Sequence, residues 1–162
     1  SPGATTCPKN PPGNGDSCVG VLECEYGDDI RLSCRTRAVC EGGKFAITAP
    51  KCPTLPGAGE APCPADLGAS GSVCLASGTL CNMHNGAFCE CGCFGAGVCG
   101  VDKWLCLGPP QGCPLYAPDV GQPCDGPPGQ KCAYGACGSA TRGARVCSGG
   151  YWVEGKPDPC PQ

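Results

Sequence analysis

Twenty of the 162 residues are cysteine, and their spacing repeats three times along the chain. Each group opens with Cys-Pro, and ten residues separate its first cysteine from its second: Cys7 and Cys18, Cys63 and Cys74, Cys113 and Cys124. Gly15, Gly71 and Gly121 each stand three positions before that second cysteine. Later in each group a cysteine precedes an aromatic residue by five positions, as in Cys40 and Phe45, Cys99 and Trp104, Cys147 and Trp152. Coincidences at fixed offsets mark one supersecondary unit used repeatedly. The chain therefore divides into an N-terminal arm (1–6), modules at 7–52, 63–106 and 113–160, linkers at 53–62 and 107–112, and a tail (161–162).

Cysteine exceeds the roughly 8–10% that marks a disulfide scaffold, while 28 glycines, 19 prolines and 6% aromatics leave little material for an apolar core. A unit of about 45 residues lies near the size at which covalent staples replace buried area. The modules hold six, eight and six cysteines: Cys7, Cys18, Cys24, Cys34, Cys40 and Cys52; Cys63, Cys74, Cys81, Cys89, Cys91, Cys93, Cys99 and Cys106; Cys113, Cys124, Cys132, Cys137, Cys147 and Cys160. Even counts let every thiol pair inside its own module, which predicts ten bridges and no free thiol. Which thiol meets which stays open, since six cysteines alone permit about 15 pairings.

Disulfides persist outside reducing compartments, so an extracellular or cell-surface location is expected. The chain opens Ser1-Pro2-Gly3 with no basic or apolar leader, as a mature form would after cleavage. No apolar run approaches the ~18 residues of a membrane span. A net charge of −3 without a basic cluster predicts no nucleic-acid partner. Asn-x-Ser/Thr is absent, which favours a bacterial source.

The predicted fold is small, disulfide-rich and mainly β or irregular, with three tandem modules each built on a β-hairpin. Residues 30–40 alternate in side-chain character as a half-buried strand does, Gly42-Gly43 supplies a turn, and residues 44–48 resume the strand pattern. Residues 141–147, Gly149-Gly150 and residues 151–154 repeat this in the third module. In the second, the matching hairpin is predicted over residues 98–104, with Val101-Asp102 in place of the glycine pair. The front half of each module reads as Pro/Gly-rich loop crossing the hairpin face. No α-helix is expected, because no window free of Gly, Pro and Cys is long enough for a 3.6-residue stripe. Phe45, Trp104 and Trp152 are expected to pack on the disulfides as a minimal core rather than stand exposed for glycan stacking.

The second module departs from the theme. Tyr26-Gly27 and Tyr134-Gly135 follow Cys24 and Cys132, whereas Met83-His84 follows Cys81. Cys81, His84, Cys89, Cys91 and Cys93 form the kind of cluster that binds zinc or copper through soft ligands. The competing expectation is one more disulfide than in the sibling modules, and no cofactor or metal, because thiolate sites compete badly with oxidation outside the cell. His84 is the one histidine, and neither a nucleophile motif nor Gly-x-Ser-x-Gly accompanies it, so no catalytic residue is predicted and the chain is expected not to be an enzyme. Asp28-Asp29 reads as solvated turn residues. Residues 34–40, Cys-Arg-Thr-Arg-Ala-Val-Cys, offer Arg35 and Arg37 in a cysteine-bracketed segment that would suit a substrate-like loop for a trypsin-type protease.

The tails of the outer modules, Ala38-Val39-Cys40-Glu41-Gly42-Gly43-Lys44-Phe45 to Pro50-Lys51-Cys52 and Arg145-Val146-Cys147-Ser148-Gly149-Gly150-Tyr151-Trp152 to Pro159-Cys160, resemble the end of a sushi (complement control) module. The Ala/Gly/Pro-rich repeats as a whole are similar to cysteine-rich surface lipoproteins of soil bacteria. Both resemblances imply surface modules that bind or build. The expected function is a non-enzymatic secreted structural protein, a disulfide-hardened repeat subunit of an extracellular filament or surface layer. Its partners would be copies of itself, with the modules strung on Pro-rich linkers as a semi-rigid rod. The alternative is an extracellular binding module for a surface protein or glycan, including a serine-protease inhibitor.

Overall fold

The computed structural model describes residues 2–94, 98–139 and 141–160; Ser1 of the arm, residues 95–97, Ala140 and the tail 161–162 lie outside the described residues. Among the described residues nine strands form three separate antiparallel sheets of three, one per module. They are β1 (Glu23–Tyr26), β2 (Thr36–Glu41) and β3 (Lys44–Thr48); β4 (Leu80–Asn82), β5 (Phe88–Gly92) and β6 (Lys103–Leu107); β7 (Lys131–Tyr134), β8 (Gly143–Ser148) and β9 (Tyr151–Gly155). Helical geometry among the described residues is limited to single 3₁₀ turns at Leu32–Cys34 and Leu67–Ala69. The predicted small, mainly β, disulfide-rich fold of three hairpin modules is the fold observed.

In the outer modules the predicted hairpins are β2–β3 and β8–β9, and both residues of each glycine pair have positive φ (58° and 79°, then 61° and 84°). That is the conformation a tight hairpin turn demands and that glycine adopts without a Cβ penalty. The front half of each module is more than a loop across the hairpin face. It contributes the first strand of the sheet and also docks beside the last strand, through antiparallel bridges Ser17↔Lys44, Val73↔Lys103 and Pro123↔Tyr151.

This docking explains the recurrent glycine. Gly15, Gly71 and Gly121 have φ of 89°, 90° and 88°. Each donates its N–H to the carbonyl of the module's aromatic residue, Phe45, Trp104 or Trp152, at 2.8 Å. A left-handed residue is needed there to turn the front segment onto the strand.

The disulfides follow one order. In the outer modules the first cysteine bonds the third, the second the fifth and the fourth the sixth: Cys7–Cys24, Cys18–Cys40, Cys34–Cys52, and Cys113–Cys132, Cys124–Cys147, Cys137–Cys160. The second module keeps the three equivalents as Cys63–Cys81, Cys74–Cys91 and Cys89–Cys106, and adds Cys93–Cys99.

This corrects the alignment that spacing suggested. Trp104 pairs across the sheet with Cys91, as Phe45 does with Cys40 and Trp152 with Cys147. The hairpin of the second module is therefore β5–β6, and residues 98–102 belong to its enlarged turn rather than to its first strand. Cys91 is the regular cysteine and Cys93–Cys99 the inserted pair. A short bridge placed inside the turn keeps Cys99 five residues from Trp104, which made it imitate the hairpin cysteine in sequence.

Each module core consists of disulfides packed around Phe45, Trp104 or Trp152, joined in the outer modules by a tyrosine. In the first, Cys18, Cys24, Tyr26, Ala38, Cys40 and Phe45 pack together; in the third, Cys132, Tyr134, Cys147 and Trp152 do. Phe45, Trp104 and Trp152 are all buried, as expected for core packing. Tyr26 and Tyr134 each donate a hydroxyl hydrogen bond of 2.9 Å to the carbonyl of the proline in the opening Cys-Pro, Pro8 or Pro114. Met83, at the matching place, has no donor for that bond.

The modules do not form an extended rod. Ile30 of the first, Leu80 and Phe88 of the second and Tyr116 of the third meet in one apolar cluster, joined by Leu55 and Leu107 at the linkers. The first linker lies along β4, where Asn82 donates its N–H to the Pro56 carbonyl at 2.9 Å and forms a parallel bridge with Gly57. Apolar linker side chains that find a common cluster hold the modules together where a polar linker would leave them strung apart.

Candidate functional site

Cys81, Cys89, Cys91 and Cys93, the candidate thiolate ligands, are each committed to a disulfide, and His84 is exposed on a turn with φ of 69°. The metal reading is overturned because no thiolate is left to join the imidazole. All twenty cysteines are paired as ten intramodule bridges.

Residues 36–40 of the Arg-containing segment lie in the central strand β2. Cys34 and Cys40 bond to other cysteines, Arg35 is 2% exposed, and Arg37 lies in a strand paired on both sides. The substrate-like loop does not exist in that form. Asp29 is held by Arg31 in a bidentate pair at 2.9 and 3.0 Å. Burial raises the Asp29 pKa, but its hydrogen bonds and the Arg31 and Arg35 charges outweigh this and leave it below the ordinary value.

Arg35 instead belongs to a buried ionic junction between the first and third modules. Its Nη1 reaches Glu25 at 3.4 Å, Asp119 at 3.0 Å and the Ala117 carbonyl at 2.6 Å, while Nε donates to the Asp29 carbonyl at 2.9 Å. Arg145 of β8 crosses to the same Glu25 oxygen at 2.8 Å and donates to the Pro118 carbonyl at 3.0 Å. Glu25, Arg35 and Arg145 are almost fully buried. Asp119 also accepts from the Gly27 N–H at 3.1 Å. Burial lifts its pKa to about 6, with the Glu25 charge acting the same way, against the lowering effects of Arg35 and the Gly27 N–H. Breaking one partner of such a network leaves an uncompensated buried charge. The junction therefore fixes the relative placement of two modules. Its side chains are engaged with one another, except that the buried Arg35 Nη2 has no hydrogen-bond partner among the described residues.

Two concave features lie near this junction, besides the opening that Glu25, Arg35 and Arg145 themselves line. A cavity of about 130 Å³ lies where the three modules meet, between Phe88, Leu107, Pro110, Leu115 and Tyr116 on one side and Ala133 of β7 on another. An open groove of about 440 Å³ runs between the first and third modules past Thr5, Val21, Leu22, Tyr151 and Val153. Val21 is 92% exposed on its rim.

The outward edges of the three first strands are treated differently. Glu25, Asn82 and Ala133 are equivalent, each following the cysteine bonded to its module's opening cysteine. The Glu25 N–H donates to the Val120 carbonyl and the Asn82 N–H to the Pro56 carbonyl, both at 2.9 Å. Ala133 is exposed, and outside the β7–β8 ladder none of the described residues accepts from its N–H.

No family model, no curated protein and no solved structure matches the chain. The geometry therefore stands without a relative. Glu25, Asp119, Arg145 and Ala133 carry no motif. The one sequence trace of the junction is a charged residue inside strand-like runs rich in cysteine and alanine, Cys24-Glu25-Tyr26 and Ala144-Arg145-Val146.

Proposed function

We propose that the protein is a non-enzymatic, secreted structural subunit that assembles with its own copies into an extracellular filament or surface layer. One observation carries the reading: ten disulfides harden the modules from within and a buried ionic junction fixes the first to the third, while apolar side chains outside any module core remain on the surface. Val21 and Val153 at the groove, and Val19 and Leu75 elsewhere, are such side chains. Apolar side chains that gather at one groove, as Val21 and Val153 do, mark a contact surface better than scattered ones. The second copy would cover the groove at Val21 and Val153, so the repeating unit is the three-module body rather than a rod of separate beads.

The resemblance of the module ends to sushi modules, and of the repeats to bacterial surface lipoproteins, supports a surface role. Among the described residues no helix is long and apolar enough to cross a membrane. Electron microscopy of the purified native protein tests the proposal: regular filaments or sheets are expected at high concentration, and uniformly monomeric particles would sink it. A second reading, an extracellular module that binds a peptide or protein partner, is favoured by the uncovered edge of β7.

A further inference from the structure

The three modules act as internal controls for one another. Two of the three equivalent strand edges are closed by an extended segment of this chain, and both segments share a pattern. The accepting carbonyl belongs to an apolar residue directly before glycine, Val120-Gly121 on β1 and Pro56-Gly57 on β4. Each brings an apolar side chain with it: Val120 is 5% exposed, and Leu55 packs with Leu80 and Phe88.

On β7 the segment is missing. The second linker has six residues against ten in the first. Instead of running along β7, its Gly108, Pro109 and Pro110 line the far wall of the cavity that Ala133 borders. The cavity of about 130 Å³ approaches the ~150 Å³ that holds a benzene ring, which is enough for one leucine or valine side chain.

We infer that the edge of β7 at Ala133 is a strand-addition site for a polypeptide partner, which supplies an extended, uncharged apolar-Gly segment and seats one apolar side chain in the adjoining cavity. Main-chain hydrogen bonds supply affinity in such additions, and side-chain pockets supply selectivity. The lining residues contribute no acid, and Arg35 is paired with Asp119 and Glu25 through Nη1 while its buried Nη2 lacks a hydrogen-bond partner among the described residues, so a backbone carbonyl of the added segment is its expected acceptor. This deepens the assembly proposal by naming a contact, and it depends on that proposal only for where the partner segment comes from.

The probe is the peptide acetyl-Thr-Leu-Pro-Gly-Ala-amide, the sequence of residues 54–58, titrated into the intact protein with amide hydrogen exchange read by NMR. Saturating peptide is expected to slow exchange at Ala133 about tenfold while the Glu25 and Asn82 amides, already bonded, stay unchanged. A peptide with aspartate in place of its leucine is expected to lose this effect. Ala133→Pro removes the outward N–H, which the sheet itself does not use, and is expected to abolish binding with all ten bridges intact. Unchanged exchange at Ala133, or equal binding by the aspartate peptide, would overturn the inference. Absence of filaments by microscopy would count against assembly alone, and the titration would still decide the edge.

Discussion

Asp119 combines a short contact to Arg35 with a location that disfavours its charge. Burial holds its pKa at about 6 in the folded protein against 3.8 in the unfolded chain. The native state thus binds this proton more tightly, so the stability it contributes is fully present below pH 3.8 and is lost as pH rises through about 6. Stability is expected to fall between about pH 4 and pH 7 by about 1–2 kcal/mol after allowance for partial exposure of the carboxylate. Asp29 and Asp158, whose pKa values lie below the ordinary 3.8, act in the opposite sense below that window. Denaturant unfolding of the wild type and Asp119→Asn across this range is the measurement, and the variant is expected to flatten the slope. An equal slope in both would show that Asp119 is not the titrating group. None of this could be read from sequence. Asp119 there is one acidic residue in a Pro-rich stretch, and its environment comes from residues of another module.

At the scale of the element, the repeated hairpin was legible because local chemistry encodes it. Glycine pairs at the turn, a left-handed glycine before the second cysteine and cysteines at matching offsets each act within one module. The second module misled the same reasoning, since its inserted pair Cys93–Cys99 reproduces the five-residue offset to Trp104. The inserted bridge closes a sequence separation of 6, against 22 for Cys18–Cys40. On the chain-entropy model the two correspond to about 2 and about 3 kcal/mol. Replacing Cys93 and Cys99 together by alanine is expected to leave β5–β6 paired and to cost less than the same replacement at Cys74 and Cys91, which clamp the core beneath Trp104. Thermal unfolding of the two double variants checks the order, and a reversed order would return Cys99 to the role of hairpin cysteine. The short strands β1, β4 and β7 escaped sequence reading because three or four residues around a cysteine give no periodicity to detect.

For the whole molecule, the modules are joined by contacts that occur once each. Gly86 of the second module, with φ of 75°, lies so close to the Leu115 carbonyl of the third that an added Cβ would overlap it. Gly86→Ala is expected to preserve ten bridges and yet open the junction, raising the radius of gyration in small-angle scattering. An unchanged radius would mean that the modules are held together without this approach. By itself the sequence determined the number of modules, their disulfide economy, the outer hairpins and the burial of Phe45, Trp104 and Trp152, since fixed offsets and turn residues act over a few positions. Only the tertiary structure decided that the modules converge, that Glu25, Arg35, Asp119 and Arg145 share one buried junction, and that Ala133 alone of three equivalent positions keeps a free edge. Those outcomes depend on side chains brought together from distant parts of the chain, and a repeat cannot announce what each of its copies does differently.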